Sequence, residues 1–409
     1  MNSLFLTVVL ISSPAADDVP IVLGDGRGLT ITEDHPLSIA DRLEYAVPAM
    51  LRTFVDASIV SGAVIVVTDP QQSILTTAAG YRTIQPPAAM AVDDRFFLAS
   101  ITKPMTAAAF LRLVDENRVA LDDPVSKYLP AFVDTKLADG TPAVITVRHC
   151  LTHTSGLDAD RESSAATLAE FVDEMAGRPV RFEPGSRWQY SRAIDVIGRI
   201  AEVVTGQTYA EFMRTQLWDP LGMADTSFEP PRGSRDARPY RLVEGTGGLE
   251  PTPADDLRLG SFRPYQPAFA VPSAGAFSTG GDLARFARLL LNRGRAGGQQ
   301  ILTENAVDEM TGVQTGELTT GFTPGNGWGL GVCVVRYPQH VSRSLSPGSF
   351  GHGGVWGPQL WVDPQRGIAQ ILLYERSDIG NSDGSDVREA MHETVRRGLD
   401  ARRSAEPGR

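Results

Sequence analysis

Short apolar runs rich in β-branched residues lie near both ends of the chain. Residues 61–68 are such a run and end at Asp69-Pro70, and residues 73–79 follow closely enough to form a hairpin with them. Three further predicted strands lie near the C-terminus, at residues 328–335, 358–362 and 367–374. Asp363-Pro364 predicts a turn between the last two of these strands.

Helical spacing of apolar residues fills the middle of the chain and recurs at its two ends. It predicts helices at residues 36–60, 105–113, 167–176, 193–204, 209–217, 282–291 and 387–399. Gly206 is placed to end one of these helices as a C-cap. Residues 228–272 contain many Pro, Gly and Arg and are interpreted as one long irregular excursion, a kind of segment that often carries function.

The order of these elements predicts an α+β fold. A doubly wound parallel sheet needs strands and helices that alternate throughout, whereas here the strands come from the two ends. We expect an antiparallel sheet built from N- and C-terminal segments, flanked by terminal helices, with a mostly helical insertion at about residues 105–325. Residues 34–402 would form one domain, between an N-terminal segment (1–33) and a C-terminal tail (403–409). A functional site is expected between the sheet and the helical part.

Composition narrows the possible partners. The chain of 409 residues has a formal net charge of −11 and no basic cluster, so nothing in it favours binding to nucleic acid. No apolar run is long enough to cross a bilayer. Cys150 and Cys333 form neither a metal-binding spacing nor a disulfide framework, and both are expected to be buried free thiols. The oligomeric state is not indicated.

The N-terminus allows two interpretations. Residues 4–11 are apolar and residues 13–16 resemble a small-residue cleavage site, but no Lys or Arg precedes them as in a secretory signal. Export to the periplasm or medium and a cytoplasmic location therefore both stay open, with a first strand or a mis-assigned start codon as alternatives to a signal segment.

The first candidate for chemistry is the pair Ser100 and Lys103. They are three residues apart, so a helix that begins near Ser100 places both side chains on one face. Pro104 is accepted by a helix only in its first turn, which predicts a helix start close to Ser100. A lysine in apolar surroundings can serve as the base that a serine nucleophile needs. The alternative is that Ser100 only caps the helix.

Two further stretches carry residues that could complete such a site. Tyr190 lies just before a predicted helix, and a phenol near a cationic amine can shuttle a proton. His352-Gly353-Gly354 belongs to a glycine-rich stretch, and an edge strand here could present a free N–H that forms an oxyanion hole with the Ser100 amide. Simple packing of Tyr190 at a helix start, and a glycine-rich bulge with a surface His352, are the structural alternatives.

The three motifs in this order resemble the serine β-lactamase and penicillin-binding-protein superfamily, in which Ser-x-x-Lys is a signature. The chain is most similar to the class C β-lactamase-like group, which includes esterases and D-amino-acid peptidases. Three more stretches match that group: residues 147–157, which end in His-Thr-Ser-Gly-Leu, residues 220–223 (Pro-Leu-Gly-Met) and residues 273–279. The resemblance covers about residues 39–399 and implies the β-lactamase/transpeptidase-like fold.

The resemblance also implies roles for single residues. Ser100 would be the acylated nucleophile and Lys103 its proton acceptor, while Tyr190 would help to protonate the leaving group and to activate the deacylating water. The N–H groups of Ser100 and Val355 would form the oxyanion hole. The stretch His153-Thr154-Ser155 would be structural and shape the cleft wall. No cofactor and no metal is expected.

Two positions depart from the Tyr-x-Asn and Lys-Thr-Gly motifs of the β-lactamases. Arg192 stands at the place of the Asn, and His352, Gly353 and Gly354 replace Lys-Thr-Gly, so these four residues are the candidate substrate-binding residues. The missing Asn would bind an acylamino side chain, and the missing Lys would help to hold a substrate carboxylate. A carboxylesterase acting on small esters is therefore expected, with β-lactamase or D-amino-acid peptidase activity as the alternative. Arg192 either supplies a charge in the cleft or points to solvent.

Three other classes of function have less support. Members of this superfamily can lose activity and serve as binding or sensor modules, but all three motif groups here retain plausible chemistry. One Gly-x-Ser-x-Gly match, at residues 380–384, lies in a polar loop with only a short helix and His392 after it, which does not suit an α/β-hydrolase. The six histidines form no His-Glu-x-x-His motif of a metallohydrolase.

Overall fold

The computed structural model describes residues 20–22, 28–30, 39–157, 163–230, 233, 235–259, 262–321, 323–379 and 384–405. The α-helices in these ranges are α1 Ile39–Asp56, α2 Thr102–Asp115, α3 Val147–Leu151, α4 Leu168–Ala176, α5 Ile194–Thr205, α6 Tyr209–Met213, α7 Asp219–Leu221, α8 Gly280–Leu291, α9 Glu304–Thr311 and α10 Asp386–Ala405. The strands are β1 Pro20–Val22, β2 Gly28–Thr30, β3 Gly62–Thr68, β4 Ser73–Thr83, β5 Ala88–Ala89, β6 Phe96–Phe97, β7 Tyr240–Leu242, β8 Leu249–Pro251, β9 Phe277–Ser278, β10 Arg295–Ala296, β11 Gln299–Gln300, β12 Asn326–Trp328, β13 Cys333–Val335, β14 Phe350–Gly353, β15 Gln359–Asp363 and β16 Ile368–Leu373.

The main sheet joins the two ends of the chain, as the order of predicted elements requires. Its eight strands follow the order β12-β13-β14-β15-β16-β3-β4-β5, and every neighbouring pair is antiparallel. The N-terminal strand β3 lies beside the C-terminal strand β16, with Val66 opposite Ile371. The α+β class and the antiparallel sheet built from both termini are therefore confirmed.

The central strand β3 is buried on both faces, which explains its continuous apolar sequence. Val64 and Val66 face the large core that includes α2 and α8, whereas Ile65 and Val67 face the terminal helices α1 and α10. Full burial of each such side chain stabilises the fold by about 1.5–3 kcal/mol. Helix α8 packs so closely on the first face that a Cβ at Gly280 would lie 2.7 Å from Val66 Cγ2.

Most predicted elements agree with the structure to within a few residues, and Gly206 ends α5 in a left-handed conformation, as expected of a C-cap. The single strand predicted at residues 328–335 is wrong. The chain there forms two paired strands, β12 and β13, with a turn between them in which Gly331 has φ +72°. The alternation of apolar residues continues through this turn, so the sequence pattern does not show it.

The long excursion between residues 228 and 272 is largely irregular, as predicted, but it includes the β7–β8 hairpin and a 3-10 turn at Ala254–Asp256. Both cysteines are buried free thiols, as expected. No helix in the ranges given above is both long and apolar enough to span a membrane. The possible signal segment (residues 4–16) and residues 380–383 of the Gly-x-Ser-x-Gly match lie outside the described residues.

Candidate active site

Ser100 lies at the junction of a buried strand and a helix. Strand β6 pairs with β9, and the next amide, Leu98 N–H, donates to the Ala276 carbonyl at 2.9 Å. A 3-10 turn at Ala99–Ile101 then leads directly into α2. Pro104 lies in the first turn of α2, so the predicted helix start near Ser100 is confirmed. The anchored strand on one side and the helix on the other fix the half-buried Ser100 in place.

Lys103 points its amine at the Ser100 hydroxyl. Its Nζ lies 3.0 Å from Ser100 Oγ and 2.7 Å from the carbonyl oxygen of Ser273, and it donates to both. The side chain is buried although lysine is among the residues least often found inside a protein. The Ser273 carbonyl therefore orients the amine along the direction in which it meets the serine.

Tyr190 approaches the same oxygen from another side. Its hydroxyl donates to Ser100 Oγ at 2.7 Å, and Lys103 Nζ lies 4.7 Å from the centre of its ring. Lys103 and Tyr190, 87 residues apart in the sequence, thus meet at one serine oxygen. This is the geometry of a nucleophile with proton-accepting groups within hydrogen-bond reach.

His352 lies behind Tyr190 and is neutral. Burial and the nearby positive charge of Lys103 lower the pKa of His352 to about 3. Its Nδ1 lies 2.6 Å from the Gly353 carbonyl oxygen, which can only accept, so Nδ1 carries the proton. Nε2, 3.4 Å from the Tyr190 hydroxyl, then presents a lone pair. The Tyr190 hydroxyl proton therefore has a second acceptor beside Ser100 Oγ.

The glycine-rich stretch after His352 lies against the segment that leads into Ser100. A Cβ at Gly354 would be 2.4 Å from the Leu98 carbonyl oxygen and 3.3 Å from Ala99 Cβ, so glycine permits this close approach. Strand β14 pairs with β15 along its whole length but with β13 only at Phe350 and Gly351, so the expected edge strand is present at His352 and Gly353. Val355 belongs to the turn that follows β14, and its side chain packs against the apolar cluster that contains Phe97 and Ala99.

Arg192 has a partner that the sequence did not reveal. Its Nε lies 3.0 Å from Asp195 Oδ2, and its guanidinium stacks on the ring of Phe171 with 4.1 Å between Cζ and the ring centre. The other oxygen of the fully buried Asp195 accepts from Ser273 N–H at 2.7 Å. Arg192 therefore lines the cleft as one half of an ion pair with Asp195, and through Asp195 it helps to hold the residue whose carbonyl binds Lys103.

A cleft of about 210 Å³ is lined in part by Arg192 and Phe171. Its described lining is partly aromatic and partly polar: Ser163, Ser164, Ala165, Phe171, Arg192, Phe262, Arg263, Gln266, Ala268, Phe269 and Val271. Phe262 and Val271 also belong to the apolar cluster that contains Ala99 and Trp356. Residues of the long excursion thus form one wall of a cleft next to the Ser100 segment.

His153, which the sequence placed only in the cleft wall, contacts the segment around Tyr190. Its carbonyl oxygen accepts from Gln189 N–H at 2.9 Å, and its Nδ1 accepts from Ser191 N–H at 3.3 Å. It therefore holds both neighbours of Tyr190. Burial lowers the pKa of His153 well below its ordinary value, which keeps Nδ1 free to accept. The His-Thr-Ser-Gly-Leu motif marks His153 in the sequence, but the motif does not indicate that His153 binds the amides on both sides of Tyr190.

The fold and this site define a class of protein, and comparison with known proteins identifies the family. The beta-lactamase family matches residues 47–394, and the chain belongs to that family. Because its relatives include esterases and peptidases, the family indicates a hydrolase of the β-lactamase fold.

Two of these relatives and one solved structure illustrate the range of activities among proteins similar to this chain. Esterase EstB of Burkholderia gladioli is 34% identical over 342 residues, which cover 76% of this chain and 85% of EstB. The D-alanyl-D-alanine-carboxypeptidase/endopeptidase AmpH of Escherichia coli K12 is 29% identical over 303 residues, 70% of this chain and 72% of AmpH. Among solved structures, EstCE1, a hydrolase with promiscuous acyltransferase activity, aligns with a TM-score of 0.76 at 26% identity, covering 88% of this chain and 99% of EstCE1.

Proposed function

We propose that this protein is a serine hydrolase that cleaves small carboxylic esters through an acyl-enzyme on Ser100. The observation that carries the proposal is the convergence of Lys103 Nζ and Tyr190 Oη on Ser100 Oγ, at 3.0 and 2.7 Å. A serine hydroxyl is a weak nucleophile until a neighbouring group can take its proton. Two such groups are within reach here.

In the first half of the reaction, Ser100 Oγ attacks the ester carbonyl carbon and its proton passes to Lys103. The carbonyl oxygen becomes negatively charged, and the N–H groups of Ser100 and Val355 would stabilise that charge as an oxyanion hole. Tyr190 then gives its proton to the departing alkoxide and is reprotonated from Lys103. The products are a free alcohol and an ester between the acyl group and Ser100.

In the second half, water takes the place of the alcohol. Tyr190 passes its proton to Lys103 and accepts one from the water as the water attacks the acyl carbon. The C–O bond to Ser100 then breaks, and Lys103 returns its proton to Oγ. Neutral His352, with its Nε2 lone pair 3.4 Å from the Tyr190 hydroxyl, supports this step because it can hold the phenol in position without adding charge.

Charge in the site favours neutral esters over substrates with a carboxylate. His352 is neutral because its pKa is lowered to about 3, and Arg192 is balanced by Asp195. The two positions that depart from the β-lactamase pattern therefore supply no free positive charge for the carboxylate of a β-lactam or a peptide. The similarity to EstB supports the ester reading, and the similarity to AmpH keeps amide hydrolysis as the competing outcome.

The test compares substrates on one enzyme. A p-nitrophenyl ester of a short acid, the chromogenic cephalosporin nitrocefin and a peptide ending in D-Ala-D-Ala are offered to the wild type, to Ser100→Ala and to Ser186→Ala, a control at an exposed serine. We expect kcat/KM to be highest for the ester, and both hydrolysis and fluorophosphonate labelling to vanish only in Ser100→Ala. Faster turnover of nitrocefin or of the peptide than of the ester would show that the protein is an amide hydrolase instead. Labelling that survives in Ser100→Ala would reject Ser100, and no turnover of any substrate would leave a binding or sensor module.

A further inference from the structure

Glu375 is a buried carboxyl group that neither the motifs nor the proposed chemistry uses. It follows strand β16 and is 4% exposed. Its Oε1 accepts from the backbone N–H of Phe97 at 2.5 Å, and its Oε2 lies 2.7 Å from the hydroxyl of Tyr265. One side chain therefore links the strand three residues before Ser100 to the excursion that lines the cleft.

The backbone beside Glu375 makes a second set of links. The N–H of Arg376 donates to the Trp356 carbonyl at 2.7 Å, and Trp356 directly follows Val355. The ring of Phe97 lies between these segments, 5.3 Å from the ring of Trp356 and 6.4 Å from the ring of Tyr265. Glu375 and its neighbour thus contact all three segments that surround Ser100 on this side.

The charged groups around Glu375 are already balanced. Asp236 faces it, and the carboxylate of Asp236 is paired with Arg95 at 2.9 Å. Arg376, on the same segment, is paired with Asp378 at 2.8 Å. Burial, with a smaller contribution from Asp236, raises the pKa of Glu375 to about 8. The Phe97 N–H donates to Oε1 and the Tyr265 hydroxyl donates to Oε2, so both oxygens of the buried carboxyl have a hydrogen-bond donor.

We propose that Glu375 is a positioning residue, which sets the backbone leading into Ser100 against the turn that carries Val355 and against Tyr265 of the long excursion. The proposal rests on the proposed function in that it acts through the Ser100 and Val355 amides as oxyanion donors. Such donors contribute only when they lie at hydrogen-bond distance from the developing charge, so a small displacement of either segment costs rate. The carboxyl itself touches no reacting atom.

Two substitutions separate the shape of Glu375 from its hydrogen bonds. In Glu375→Gln the amide oxygen can still accept from Phe97 and the amide nitrogen can donate to Tyr265, so we expect kcat within about threefold of wild type. Glu375→Leu keeps the volume but leaves the buried Phe97 N–H without an acceptor. We expect its kcat for the aryl ester to fall by about 10- to 100-fold, with KM changed by less than about threefold, because the loss falls on the transition state.

The control is Asp363→Asn, at a buried carboxyl that ends β15 and lies opposite Ile368, at the end of β16 far from Glu375. Its kcat should remain near wild type. Hydrogen exchange supplies a readout that needs no substrate: Glu375→Leu should lose protection in peptides covering residues 96–100 and 354–357, while Glu375→Gln and Asp363→Asn should keep it.

The outcomes are distinguishable. Wild-type kcat and exchange in Glu375→Leu would overturn the positioning role, as would an equal loss of kcat in Asp363→Asn or a loss in Glu375→Gln as large as in Glu375→Leu. If the wild type hydrolyses no ester, the proposed function fails. Selective loss of protection at residues 96–100 and 354–357 in Glu375→Leu would still support the placement of Glu375, and unchanged protection would then overturn it.

Discussion

The imidazole ring of His153 lies against the phenol ring of Tyr190, with their centres 4.6 Å apart. His153 adopts a left-handed conformation with φ +59°, which is uncommon for any residue other than glycine. In this conformation its carbonyl and its Nδ1 reach the amides on both sides of Tyr190. The position of the Tyr190 hydroxyl at Ser100 thus depends on a histidine that makes no contact with Ser100 itself.

Replacing His153 should lower turnover without unfolding the protein. His153→Asn is the informative change because Asn tolerates a positive φ but is too short to keep the ring contact. We expect kcat for an aryl ester to fall by about 10- to 100-fold with a small change in KM, since a misplaced proton-transfer group loses most of its effect. His340→Asn is a matched control, because His340 is exposed and also has a positive φ, +48°. Equal activity of the two variants would contradict the role of His153 at Tyr190.

Removing the amine of Lys103 should slow acylation by several orders of magnitude. Lys103→Ala removes the proposed acceptor of the Ser100 proton, and Lys103→Arg keeps a charge but offers a guanidinium that does not deprotonate. We expect both variants to lose about 10²- to 10⁴-fold in the rate of fluorophosphonate labelling, the range typical of a lost catalytic base. The exposed Lys127, replaced by alanine, serves as the control. A near-normal labelling rate in Lys103→Ala would reject the lysine as the proton acceptor.

The activity should show no titration of His352 near neutral pH. Burial and Lys103 lower the pKa of His352 to about 3, so its imidazole is neutral throughout the range from pH 5 to 8. We expect His352→Phe to reduce kcat, because the Nε2 acceptor for Tyr190 is lost, while the shape of the kcat/KM profile between pH 5 and 8 stays that of the wild type. A change in kcat/KM near pH 6.5 that the wild type shows and His352→Phe lacks would show that the histidine becomes charged in the site.

Local features of the sequence were enough for the main elements and for the start of the helix at Ser100. Strand β3 is buried on both faces, so its apolar run is continuous, and Pro104 restricts where α2 can begin. The order of strands and helices then led to the antiparallel sheet formed by both termini. These inferences succeed because burial and backbone geometry act on neighbouring residues.

The contacts that orient the site were not predictable in this way. Glu375 and Phe97 are 278 residues apart, and Asp195 and Ser273 are 78 residues apart. The stacking of Arg192 on Phe171 depends on how α4 packs near α5 and is likewise not visible in the sequence. Similarly, the composition of β14 does not reveal that β13 pairs only with its first two residues, Phe350 and Gly351. A single sequence records residue types, whereas these roles depend on which distant groups the fold brings together.

The ionisation of Glu375 should make the protein less stable as the pH rises. Its pKa is about 8 in the folded state against 4.5 ordinarily, so between these values the folded protein holds a proton that the unfolded chain has released. The free energy of unfolding therefore decreases with pH in this window, by up to about 1.4 kcal/mol per pH unit from this group, and the stability is fully present only below about pH 4.5.

Glu375→Gln cannot ionise and should remove that part of the slope. Urea unfolding at pH 5, 6, 7 and 8 measures it, with Glu116→Gln at an exposed glutamate as the control for net charge. The difference in unfolding free energy between Glu375→Gln and wild type should grow in favour of the variant from pH 5 to pH 8, and parallel curves would mean that Glu375 is ionised in the folded protein throughout.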